Sequence, residues 1–325
     1  MTKLFSRAAL AAALLTAATA LPAAAQPRPY PNQPIRVIVP FSAGTSDTVA
    51  RLVGQKMSET LGQPLVVESR PGAGGNIGSE ACARAAPDGY TICLGTISSH
   101  AINPAIFVKM PYDNIRDFAP ITQLASQPNA LAVGNDLPAK NVQELIALLK
   151  ANPGRYNYGS SGVGTSIHLA GALFAQLTGT TMEHVPYRGS GQIMTALLTG
   201  ELPLAFDNFS SAWPFARENK IRVLGVGSLQ RSPTAPDVPT IAETVPGFES
   251  LSWHGFFAPA ATPPEVIARL NQAAVEALRS ETVRARFSEL GITPVGNTSA
   301  EFRAFVASET QRWGEVARKA DIRVE

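Results

Sequence analysis

Two segments of the 325-residue chain share one local design: a short apolar run, a turn of small residues and a helix-forming stretch with a hydroxyl-rich start. The first is Val37-Ile-Val-Pro-Phe-Ser-Ala-Gly-Thr-Ser-Asp47 and the second is Tyr158-Gly-Ser-Ser-Gly-Val-Gly-Thr-Ser166. At such a turn the backbone N–H groups of the first helical turn have no partner inside the helix, and the positive end of the helix dipole faces the same way. The chemistry on offer is anion binding. The candidate contacts are Phe41, Ser42, Ala43, Gly44, Thr45, Ser46 and Asp47 in the first segment. In the second they are Ser160, Ser161, Gly162, Gly164 and Thr165, with His168 one turn into the helix. A single loop of this kind is equally a cap and a tight turn, with Asp47 capping its own helix. Two of them, in parts of the chain expected to form separate lobes, point to an anion held between the lobes at the carboxyl ends of strands.

Other chemistries find little support. Neither loop has the lysine of a P-loop, and Arg70-Pro-Gly-Ala-Gly-Gly-Asn-Ile-Gly78 has neither G-x-G-x-x-G nor G-K-[ST] register, which argues against phosphate chemistry and a nucleotide cofactor. No serine is flanked by glycines two residues before and two after it, so a nucleophile elbow is missing. His100, His168, His184 and His254 show no zinc-ligand spacing, and no metal is expected. An exported hydrolase or isomerase using His168 with Ser160 or Ser161 is the rival reading. Of the aromatic residues near the expected cleft, Phe209, Trp213 and Trp253 read as core, whereas Phe41 sits on a loop that must face the ligand.

Elements able to position these loops alternate along the chain. Ile35 to Val39 reads as a strand, Asp47 to Leu61 as a helix, Val66-Val67 as a second strand, Pro71 to Gly78 as a turn into a helix ending at Arg84, and Tyr90 to Gly95 as a third strand. This βαβαβ order predicts an α/β fold with a Rossmann-like lobe. The run Ile121 to Val133 is extended and suits a crossing into a second lobe. There the pattern resumes: helix Val142 to Lys150, strand Tyr156 to Tyr158, turn Gly159 to Gly164, helix Ser166 to Leu177, helix Gln192 to Leu198, and strands Leu204 to Phe206 and Arg222 to Val226. Proline-rich Ser232 to Pro246 is expected to travel over the surface. Strand Trp253 to Ala258 and helices Pro264 to Ser280 and Ala300 to Ala320 close the chain, with Thr262 and two prolines at a helix start.

The N-terminus reads as a secretory signal: Lys3 and Arg7, then uncharged apolar Ala8 to Leu21, then the small residues Ala23-Ala24-Ala25. The apolar run is shorter than the ~20 residues a membrane-spanning helix needs. Cleavage after Ala25 leaves 25 Lys plus Arg against 25 Asp plus Glu, scattered rather than clustered. A nearly neutral chain of this kind is not expected to bind nucleic acid or an anionic membrane. Cys82 and Cys93 are the only cysteines. An oxidising compartment permits a disulfide, while their apolar settings suit buried free thiols, and the latter reading is favoured.

The chain resembles the periplasmic receptors of tripartite tricarboxylate transporters, the Bug family. The stretches that carry the resemblance run in order: Pro34-Ile-Arg-Val-Ile-Val-Pro-Phe41, Glu68-Ser-Arg-Pro-Gly-Ala-Gly-Gly75, Pro87-Asp-Gly-Tyr-Thr91, His100-Ala-Ile-Asn-Pro104, Asp117-Phe-Ala-Pro120, Tyr158-Gly-Ser-Ser-Gly162, His184-Val-Pro-Tyr-Arg-Gly189, Pro236-Asp-Val-Pro-Thr240 and Trp253-His-Gly-Phe-Phe-Ala-Pro259. The resemblance implies a type II periplasmic-binding-protein fold, two Rossmann-like lobes on a two-strand hinge that close on a carboxylate. It also implies that the two loops hold the carboxylate by N–H groups and hydroxyls, without an arginine clamp. The expected ligand is a small carboxylate, an aliphatic di- or tricarboxylate or an aromatic acid, passed to the membrane permease subunits of the transporter. Thr96, Ser98, Arg188 and Asp207 complete the candidate site, and a monomer is expected. The expected division is a signal at 1–25, a first lobe of 26–127 plus 250–325, and a second lobe of 128–249. One departure stands out: relatives run Pro-Phe, two small residues, Gly-Gly, two residues and Asp, whereas Pro40 to Asp47 is one residue shorter with one glycine.

Overall fold

A computed structural model describes residues 29–319, 323 and 324; the expected signal at 1–25 lies outside them. Strand Ile35–Val39 (β1) is a run of branched apolar side chains, four of its five residues buried, as suits a strand covered on both faces. Helix Thr45–Leu61 (α1) buries Val49, Ala50, Val53, Met57 and Leu61, a stripe at helical spacing. It ends where Gly62 turns left-handed at φ 70° and its amide reaches Ser58 O at 2.9 Å. Leu65–Ser69 (β2), Asn76–Ala83 (α2) and Thr91–Thr96 (β3) follow. The strand β1 pairs in parallel with both β2 and β3, completing the expected βαβαβ unit. A wide turn, Ser98–Ile102, and a short helix, Asn103–Ile106 (α3), lead into the 16-residue strand Phe118–Val133 (β4).

A second α/β set follows: Val142–Ala151 (α4), Asn157–Ser160 (β5), Ser166–Thr178 (α5), Glu183–Pro186 (β6), Ser190–Thr199 (α6), Leu204–Asn208 (β7), Phe209–Ala216 (α7) and Arg222–Val226 (β8). The chain then returns through Leu251–Pro259 (β9), Pro264–Arg279 (α8), Glu281–Glu289 (α9), Thr293–Pro294 (β10) and Ser299–Lys319 (α10). The sheet order is β2-β1-β3-β9-β4-β7-β5-β6, with β8 and β10 also on β4. Strand β4 is therefore common to two sets: Phe118 to Pro128 pair with β9, and Asn129 to Val133 with β7. The cores divide at the same place. Ile38, Cys93, Phe118, Phe257 and Phe302 belong to one apolar cluster; Leu131, Tyr158, Phe174, Phe206 and Phe248 belong to another. Each fully buried large apolar side chain stabilises by roughly 1.5–3 kcal/mol, so each set is held by its own interior.

Three expectations are corrected. The run Ser232 to Pro246 does not simply cross the surface. Ala235, Thr240, Ile241 and Val245 are buried, and Thr240 both bridges Val226 and starts a capping box with Glu243. Prolines space the backbone while apolar side chains between them fill the gap beside β8. The favoured free-thiol reading also fails: Cys82 on α2 and Cys93 on β3 form a disulfide, their Cα atoms 6.0 Å apart. Packing of α2 against β3 brings them within bonding reach. Thirdly, α7, α9 and β6 form where the pattern showed no separate element; β6 is only four residues long and half exposed, too short for periodicity to register.

Candidate functional site

The turns after β1 and β5 meet across a narrow cavity of about 30 Å³. Four helices begin at its wall. Thr45 and Ser46 open α1, Ser166 and Ile167 open α5, Ser190 opens α6, and Asn208 precedes α7. The starts of α1, α6 and α7 have no side-chain cap, whereas Thr165 Oγ1 caps α5 by accepting from His168 N at 3.2 Å. Converging N-termini direct the N–H groups of four first turns and positive partial charge at one point. The rest of the wall is Phe41, Ser42, Gly44, Thr96, Ser98, Ser161, Thr165, Gly189, Ser252 and His254, so the described lining includes no Lys, Arg, Asp or Glu. It can bind an anion, but only through dipoles and hydroxyls.

Bonds across the cavity draw its walls together. Gly191 N donates to Ala43 O at 3.0 Å and Ser42 N to Arg188 O at 3.4 Å. Ser166 N donates to Ser98 Oγ at 3.1 Å. Thr45 Oγ1 lies 2.6 Å from Ser210 Oγ and 2.8 Å from Ser211 Oγ. Gly44 makes this approach possible: its φ is +153°, and a Cβ there would come within 2.9 Å of Ser190 Cβ. A space this size takes about two water-sized groups, so admission of a solute requires these contacts to part.

Behind the second turn, a histidine pair braces the backbone. Ser160 Oγ is 2.6 Å from His184 Nε2 and bonds both Gly162 N and Gly162 O. His168 Nδ1 accepts from Gly164 N at 3.3 Å, and the two imidazoles are 4.1 Å apart. Burial lowers the pKa of His168 to about 4 and that of His184 to about 3, the latter helped by its neighbour. Both are neutral at ordinary pH. On the cavity wall His254 is also held neutral by burial, near 4, with Nε2 3.1 Å from Ser46 Oγ. Asp207, at the end of β7, is fully buried beneath the start of α6, and burial raises its pKa to about 7 against hydrogen bonds from Ser190 and Asn208.

The candidate residues thus fall into two groups. Phe41, Ser42, Gly44, Thr45, Ser46, Thr96, Ser98, Ser161 and Thr165 line the cavity. Ala43, Ser160, Gly164, His168 and Asp207 hold its walls from behind, while Gly162 and Arg188 line a neighbouring cavity of about 320 Å³. Asp47 does not cap α1; its carboxylate accepts from Arg51 Nε at 2.7 Å. Ser160 is fully buried and paired with His184 instead of His168, which takes Ser160 out of the grouping on which a hydrolase reading rested. Phe209 and Trp253 are core residues and Trp213 stacks on Phe209. Ser190, Asn208, Ser252 and His254 join the site without a motif of their own. The small residues at the start of α6, Gly189-Ser-Gly191, were the available signal for a third helix start.

A cavity lined by backbone donors and hydroxyls between two α/β sets that share strands defines a solute receptor of the periplasmic-binding-protein fold. The chain belongs to the tripartite tricarboxylate transporter family receptors, whose family model matches residues 49–322. Protein BugT of Bordetella pertussis (strain Tohama I / ATCC BAA-589 / NCTC 13251) is 36% identical over 314 residues, covering 96% of each chain. Among solved structures, R. palustris Rpa4515 with adipate is 36% identical with a TM-score of 0.87, covering 90% of this chain and 99% of that one. MatC from Rhodopseudomonas palustris with bound malate is 34% identical with a TM-score of 0.84, covering 88% and 99%. Membership places the chain among receptors, not enzymes. No helix among the described residues is long and apolar enough to cross a membrane.

Proposed function

We propose that the chain is a periplasmic receptor that captures a small carboxylate in the cavity between Phe41–Ser46 and Ser161–Thr165 and delivers it to the permease subunits of a tripartite tricarboxylate-type transporter. The observation that carries this reading is the convergence of four helix starts, three without a side-chain cap, on a cavity wall without ionised side chains. A carboxylate accepts several N–H and O–H bonds at once, and charge-assisted bonds of this kind are about twice as strong as neutral ones. The adipate and malate of the two R. palustris proteins support a carboxylate as the class. The reading includes export by residues 1–25, a first lobe of 26–127 plus 250–325 and a second of 128–249 that swing about β4 and β9, and a monomeric working form.

Calorimetry on the purified chain, preceded by a thermal-shift screen of malate, adipate and aromatic acids, tests it. A micromolar or tighter Kd for at least one carboxylate is the expected result. Failure of every carboxylate to bind would overturn the reading.

A further inference from the structure

The head cavity, at about 30 Å³, has room for a carboxylate group but not for the carbon body attached to it. Two larger spaces adjoin it, of about 340 Å³ and about 320 Å³. The smaller shares Phe41 and Ser161 with the head cavity. There the partition includes a phenyl ring packed so closely on Gly75 that a Cβ on that glycine would come within 3.1 Å of it. The larger shares Gly44, Thr45 and Ser190, a partition of one glycine and two small hydroxyl residues. When the contact between Ala43 and Gly191 parts to admit a solute, this side opens without displacing a ring.

The larger space has a definite chemistry. Its inner end carries the hydroxyls of Thr45, Ser210 and Ser211, already bonded to one another. Its body is walled by Met194, Leu198, Pro214, Phe215 and Leu290. The one cationic group on its wall, Arg286, is engaged by Glu289 at 2.7 Å. Thr48 and Thr195 add two more hydroxyls to the wall, but beside the five apolar residues a carbon skeleton needs no partner, whereas a hydroxyl substituent there carries a desolvation penalty.

We propose that the ligand of this chain is a carboxylate on an apolar body, an aryl group or an unsubstituted chain of about six carbons, with that body lying between α1, α6 and α7 against Leu198 and Phe215; this rests on the carboxylate-receptor reading above. The ligand enters head first, its carboxylate between the helix starts and its body replacing water beside Met194 and Leu198. Substituents on the carbon next to the carboxylate would meet the Gly44–Ser190 constriction, so short hydroxylated acids fit least well.

The test is calorimetry with malate, hexanoate and phenylacetate on the wild-type chain and on Leu198→Trp, Leu198→Glu and Tyr187→Ala. Leu198 is 43% exposed, so both substitutions leave the core intact, and thermal melting verifies that each variant folds. Hexanoate or phenylacetate is expected to bind at least tenfold tighter than malate. Both Leu198 variants should lose that preference by tenfold or more, and Tyr187→Ala, in the other side space, should keep it. Carboxylates that bind with equal affinity, or Leu198 variants that bind hexanoate and phenylacetate like the wild type, would overturn the assignment while leaving the receptor reading standing. A loss confined to Tyr187→Ala would also overturn it by moving the body to the other side. Failure of all three acids to bind would overturn both.

Discussion

The hydroxyl of Ser190 donates to Oδ1 of Asp207 at 2.6 Å, tying the first residue of α6 to a carboxyl buried at the end of β7. Asn208 N donates to the same oxygen at 2.7 Å, and Oδ2 has no hydrogen-bond partner among the described residues. Burial raises the pKa of the group to about 7. A carboxyl whose folded pKa lies above its unfolded value contributes stability that is complete at acid pH and is lost as pH rises through the folded pKa. Asp207→Asn keeps the acceptor and removes the titration. Its melting temperature relative to wild type should therefore climb from about pH 4 to above pH 7, measured by scanning calorimetry across that range; parallel profiles would refute the burial argument.

The four histidines carry the opposite sign. Burial holds His100 and His184 near 3 and His168 and His254 near 4. Below the unfolded value near 6.5 the unfolded chain binds more protons than the folded one, so stability falls as pH drops from there toward 4. Replacing His184 by Gln retains a polar partner for Ser160 and should flatten that acid limb, read from urea midpoints between pH 7 and pH 4.

Thr165 joins both ends of its turn, donating to Gly162 O at 2.7 Å while capping α5. Thr165→Ala should lower stability by about 1 kcal/mol through the lost cap. Carboxylate affinity should weaken by roughly 1 kcal/mol as the turn that carries Ser161 loses both ties. Calorimetric Kd beside a denaturant titration separates the two effects. Ser161→Val offers a contrast, since Ser161 lines the cavity and affinity should fall with little change in stability.

Gly44→Ala places a methyl 2.9 Å from Ser190 Cβ in the closed arrangement and strains a backbone at φ +153°. Overpacking of this kind costs about 1–3 kcal/mol, and here it falls on closure. The expected result is carboxylate affinity about tenfold weaker, the equivalent of about 1.4 kcal/mol, with little compaction by ligand in solution scattering. Wild-type affinity would show that the walls need not approach this closely.

The disulfide between Cys82 and Cys93 closes a short covalent loop. By loop-closure entropy it stabilises the fold by about 3 kcal/mol. The double substitution Cys82→Ala, Cys93→Ala should lower the unfolding free energy by about that amount in urea, and reductant should lower the melting temperature of the wild type but not of the double variant.

Much of the fold was legible because its signals are local. The branched run Ile35 to Val39, the helical stripe Val49, Val53, Met57 and the small-residue turns at Gly44 and Gly162 each act over a few residues, and each sits where expected. What stayed hidden depends on pairs distant in sequence. His184 is found beside Ser160 only because β5 and β6 lie side by side. His254 and Ser252 reach the cavity because β9 runs antiparallel beside β3 and β4. The disulfide depends on how closely α2 settles on β3. Four helix starts converge where two were legible, because Gly189 before α6 and Asn208 before α7 gain meaning only once those helices face the first turn.

Of the twenty side chains, only proline takes the amide proton away with it. If the charged end of a ligand is held by the peptide backbone at the starts of α1, α5, α6 and α7, substitutions in this cavity leave most of the anion-binding capacity in place. Side chains such as Leu198, Phe215 and Leu290 are free to drift without dismantling it. Descendants of such a chain can exchange one acid for another by changing a few wall residues, so the inherited part of recognition lies in chain geometry and the variable part in its upholstery.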